Sequence, residues 1–136
     1  MTPNTIDAYL ETKILSADPI ELVRIMYRAA VGAVESARRH LALREIPERS
    51  AAIAKSLEIL VEFSASLDHE RSPEMSTRLA QLYDYMGTRL LEANAQQSDA
   101  PLAEVNRLLS TLSEAWEQMK VSSKSELEPP GRGWSF

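Results

Sequence analysis

Apolar residues recur along most of this chain at spacings of three and four, the period of helices that bury one face. The first such stretch opens at Asp18-Pro19-Ile20-Glu21. Asp18 suits an N-cap that accepts from orphan backbone N–H groups, Pro19 suits the first helical position, and Glu21 completes a capping-box-like pattern. The pattern predicts a helix to about Leu43. On a wheel of about 100° per residue, Leu22, Met26, Ala29, Ala33 and Ala37 form a small-residue core stripe. Ile20, Val23, Tyr27 and Val34 extend that apolar surface to one side.

A second helix is predicted from near Pro47, after Arg44-Glu45-Ile46, to about Leu67. Ile53, Leu57, Leu60 and Leu67 share a stripe, but Ile59 and Phe63 fall to one side of it and Val61 to the other. The apolar arc is about 200° wide where about 100° is typical. Such a helix is either central in its bundle or open to a partner.

Ser72-Pro73-Glu74 repeats the cap-then-proline start, and Met75, Leu79, Leu82, Met86 and Leu90 mark a third helix to near Asn94. Gly87 inside it either permits close packing or is a tolerated surface glycine. A fourth helix follows Ser98-Asp99-Ala100-Pro101, presents Val105, Leu108, Leu109, Leu112, Trp116 and Met119, and fades after Lys120. Short connections make neighbours antiparallel, so the expected fold is all-α, an up-down four-helix bundle over residues 18–120. Residues 1–17 read as a short N-terminal cap segment. Residues 121–136, rich in Ser, Pro, Gly and charge, read as a disordered C-terminal tail.

Composition narrows the function. The length of 136 residues suits one domain with a core of its own. A net charge of −5 argues against nucleic acid as a main partner, since phosphate binding draws on clustered Lys and Arg. Arg38, Arg39 and Arg44 form the one basic cluster, and they fall where a helix end favours positive charge. No cysteine is present, which removes disulfides, thiolate zinc sites and cysteine nucleophiles. Met1 to Ile14 has neither the basic nor the apolar portion of a signal peptide, and no stretch is long enough to span a bilayer. These features point to the cytosol.

The search for chemistry returns no catalytic residue, no metal ligand set and no cofactor motif. Ala37 and Ser66 stand one turn before His40 and His69, so a Glu-x-x-His di-metal pattern is missing. A histidine-phosphotransfer bundle, the alternative in a catalytic class, needs an exposed mid-helix histidine. Here Glu70-Arg71-Ser72-Pro73 follows His69 and Leu41-Ala42-Leu43 follows His40.

Several segments together resemble the flagellar secretion chaperones of the FliS family. They are Tyr9, then Ile14-Leu15-Ser16-Ala17-Asp18-Pro19-Ile20-Glu21-Leu22 and Met26-Tyr27, then Ser66-Leu67-Asp68. Leu82-Tyr83-Asp84-Tyr85-Met86, Arg89-Leu90-Leu91-Glu92-Ala93-Asn94, Glu104-Val105, Leu112 and Ala115-Trp116 complete the series over about residues 9 to 119. Arg28-Ala29 and Ser72-Pro73 stand where the family usually has Asp-Gly and Gly-Gly.

The resemblance implies a protein without enzymatic activity that binds the C-terminal segment of flagellin in the cytosol. It also implies that the protein prevents premature polymerisation and assists delivery to the flagellar type III export gate. Tyr27, Val34, Ile59 and Phe63 are then expected to contribute to the flagellin-binding surface, with Ile6, Tyr9, Ile14 and Leu15 forming a removable N-terminal cover. The resemblance implies neither a nucleic-acid partner nor membrane insertion.

Overall fold

The computed structural model describes residues 18–119. It contains helices α1 (Pro19–Ala42), α2 (Ile46–Ala65), α3 (Pro73–Gln96) and α4 (Asp99–Glu117), joined by short turns. Each helix packs on its sequence neighbours, and α4 returns to α1, which closes an up-down four-helix bundle. The predicted helix boundaries agree to within three residues at each end.

Asp18 caps α1 as its sequence indicates, Oδ1 accepting from the Glu21 N–H at 2.9 Å. The expected return contact of the capping box does not form. Glu21 turns to Arg24 and Arg28, 3.5 Å from each. Ser72 makes no side-chain cap bond to α3. The turn before α3 is instead tied by Asp68, whose carboxylate accepts from the Glu70 and Arg71 N–H groups and whose carbonyl accepts from Ser76 Oγ.

The core departs from the predicted stripe on α1. Val23, Tyr27, Ala30, Val34 and Ala37 are buried there, while Leu22, Met26, Ala29 and Ala33 are half-exposed. The two stripes lie about one residue apart on the wheel. Periodicity alone does not choose between them; the larger Val23, Tyr27 and Val34 fill the interior better and set the rotation of the helix. On α2 the surplus arc divides. Ile53, Ile59, Leu60 and Phe63 are buried, and Val61 is 65% exposed.

Two arginines are buried among the described residues, and each ties two helices together. Arg49 Nε donates to Asn94 Oδ1 at 2.9 Å, tying the start of α2 to the end of α3. Arg24 Nε donates to the Trp116 carbonyl at 2.9 Å, and Nη2 reaches the Met119 carbonyl. Both carbonyls lie at the C-terminal end of α4, where the regular helical ladder runs out. Bidentate pairs Arg28–Glu117 and Arg38–Asp99 then hold α1 and α4 in antiparallel register along their length.

Candidate functional site

Four of the side chains expected at a binding surface lie in the interior. Tyr27, Val34, Ile59 and Phe63 all belong to the central core cluster. Phe63 is 4% exposed and stacks on Tyr27 with ring centroids 4.3 Å apart, while Tyr83 tilts against Phe63 at 5.5 Å and Trp116 stacks on Tyr27 at 6.5 Å. One aromatic residue from each helix thus meets at the centre of the bundle. The width of the α2 apolar arc around Ile59 and Phe63 reflects this central position. Ile6, Tyr9, Ile14 and Leu15 lie outside the described residues.

The aromatic centre is polar at one point. The hydroxyls of Tyr27 and Tyr83 are 2.7 Å apart and buried. Burial pushes both phenol pKa values above their ordinary range, so both hydroxyls are neutral at physiological pH. A neutral, hydrogen-bonded pair in an aromatic setting is a structural link and supplies no proton donor or acceptor to solvent.

The accessible surplus is on the outer face of α2. Ala51, Ala54, Val61 and Ala65 are exposed and Leu57 is half-exposed. Ala54, Leu57 and Val61 recur at spacings of three and four and so lie on one side of the helix. Leu57 faces Gly87 of α3, where a methyl group would sit 3.7 Å from Leu57 Cδ2. Leu91, one turn beyond Gly87, is 58% exposed. The result is an apolar strip along the α2/α3 seam, formed by Ala54, Leu57, Val61, Gly87 and Leu91. The wheel separated Val61 from the rest of its helix, which was the available signal for this strip; the contribution of Leu91 depends on packing across helices.

No group of three or more His, Asp or Glu side chains suited to a metal ion occurs among the described residues. His40, on the last turn of α1, pairs with Glu45 at 2.7 Å, and His69 lies in the α2–α3 turn. Neither stands mid-helix, as phosphotransfer requires. No described helix is long and apolar enough to cross a membrane.

Comparison with known proteins places this bundle. The family model described as flagellar protein FliS matches residues 2–123. A protein named flagellar secretion chaperone FliS from Salmonella typhimurium is 35% identical over 132 residues, covering 93% of this chain and 96% of the relative. Flagellar secretion chaperone FliSB from Pseudomonas aeruginosa is 31% identical over 79% of this chain and 86% of its own length. The Bacillus subtilis flagellar secretion chaperone FliS is 26% identical over 94% and 95%. Matches of this extent span all four helices, and the chain belongs to the FliS family of flagellar proteins.

Proposed function

We propose that this protein is a cytosolic export chaperone that binds the C-terminal segment of flagellin, prevents its premature polymerisation and assists its delivery to the flagellar type III export apparatus. The relatives named flagellar secretion chaperones support the role. The observation that carries the reading is the exposed apolar strip of α2 and α3, with Val61 and Leu91 both more than half exposed. A client segment that forms amphipathic helices finds there a face on which to bury its own apolar stripe. The export-gate protein would be the second partner, met while the client is bound.

In this reading Val61, Leu57 and Leu91 make contact with flagellin. Tyr27, Val34, Ile59 and Phe63 contribute as the packed floor that holds those side chains in place. Ile6, Tyr9, Ile14 and Leu15 form a cover on the bundle that withdraws when the client binds. Support for a cover comes from Ile25, two residues and so about 200° round α1 from Tyr27. It is buried, yet it stands outside the central core cluster.

Gel filtration of the protein mixed with full-length flagellin, followed by light scattering under polymerising conditions, tests the function. A stoichiometric complex and suppressed filament growth are expected. Separate elution with undiminished polymerisation contradicts the assignment.

A further inference from the structure

The strip along the α2/α3 seam has margins of a single charge sign. Glu58 follows Leu57 and Glu62 follows Val61, each about 100° further round the helix. This sets two exposed carboxylates along the edge remote from α3. On the opposite edge stands Asp84, exposed on α3 one turn before Thr88. The only Lys or Arg between Ser50 and Ala65 is Lys55, which is half-buried and has an interaction of its own.

Other seams of the bundle are built differently. Carboxylates on the α1/α4 and α3/α4 seams meet arginines, as in Arg28–Glu117, Arg38–Asp99 and Arg89–Glu104. Glu58, Glu62 and Asp84 are in no such pair among the described residues. Glu58 and Glu62 are also one turn apart on the same helix, where like charges repel. A cation brought by a partner would relieve this repulsion.

We infer that the helix received by this strip carries Lys or Arg along the margins of its apolar stripe, so that Glu58, Glu62 and Asp84 select a cationic amphipathic segment. The inference rests on the reading of the strip as the docking face. Apolar contacts then hold the client, while the unmatched carboxylates set its orientation and speed its approach. Exposed charge pairs of this kind weaken as salt shortens the reach of the field.

The test uses the full chain and the flagellin C-terminal segment as the probe. Affinity is measured by calorimetry at roughly 50 and 500 mM salt, which spans a severalfold change in screening length, for the wild type and for the E58Q/E62Q/D84N variant. The wild type is expected to lose about tenfold in affinity across this range. The variant is expected to bind about three- to tenfold more weakly at low salt, to respond little to salt, and to melt at the wild-type temperature. Binding that is tight, insensitive to salt and unchanged in the variant overturns the charge inference while leaving the docking face intact. A wild-type chain that does not bind the segment at either salt overturns both.

Discussion

The Tyr27 and Tyr83 hydroxyls meet 2.7 Å apart across the centre of the bundle, joining α1 to α3, which are not neighbours in the packing. Either Tyr27→Phe or Tyr83→Phe removes this bond and leaves the other hydroxyl buried without it. An unsatisfied buried group costs about 1–3 kcal/mol, so each single variant should destabilise the fold by about that much in urea melts. The double variant should cost less than the sum of the two.

The same pair makes stability fall at alkaline pH. Burial raises both phenol pKa values above 10.0 in the folded protein, so the folded state binds more protons than the unfolded state once pH exceeds that value. Stability from the pair is fully present below about pH 10 and declines as pH rises further. Denaturant midpoints measured from pH 8 to 11 should drop above pH 10 in the wild type. The drop should be smaller in Y27F/Y83F.

Arg24 is expected to anchor the end of α4. Its guanidinium reaches the carbonyls of Trp116, Glu117 and Met119 at once. Arg24→Ala removes the charged donor from these carbonyls and should cost about 2 kcal/mol, the scale of hydrogen bonds to a charged group. Arg24→Lys should recover little, because an ammonium lacks the fork that spans several acceptors. Hydrogen exchange at the last turn of α4 is the direct readout, and it should accelerate in both variants.

Gly87 is expected to be improvable. It lies inside α3, and a methyl group there meets only Leu57 Cδ2, at 3.7 Å, an ordinary contact. Gly87→Ala should stabilise the protein by about 0.5–1 kcal/mol, the helix-propensity gain, since no neighbour must move. A fall in thermal midpoint would mean that the α2/α3 seam closes more tightly than the contact distance indicates.

Much of the fold is legible in the residues themselves. Asp18-Pro19 starts a helix because a carboxylate cap and a fixed φ suit a helix start, whereas Ser98 precedes α4 with no side-chain cap bond. The rotation of α1 is not legible. Leu22 and Val23 are consecutive and both apolar but about 100° apart on the wheel, and only the space left by the other helices decides which enters. The same holds for α2, where Phe63 and Val61 both lie in one wide arc. Phe63 goes inward because Tyr27 and Tyr83 offer it ring faces, and Val61 is left outside. The α2/α3 strip is half legible: Val61 is visible in the helical period, whereas Leu91 joins it only through the antiparallel pairing of two helices.

The most direct test of the account compares a strip residue with a floor residue. Affinity for the flagellin C-terminal segment is measured by calorimetry, with thermal melts, for Val61→Asp, Leu91→Asp and Phe63→Ala. The strip variants should lose about 1–3 kcal/mol of binding, the range of interface anchors, while exposed positions change stability by only about 0.5 kcal/mol. Phe63→Ala should instead destabilise the fold by about 3–5 kcal/mol, as loss of a buried aromatic does. Wild-type affinity in both strip variants, with intact melts, would contradict the placement of function on α2 and α3.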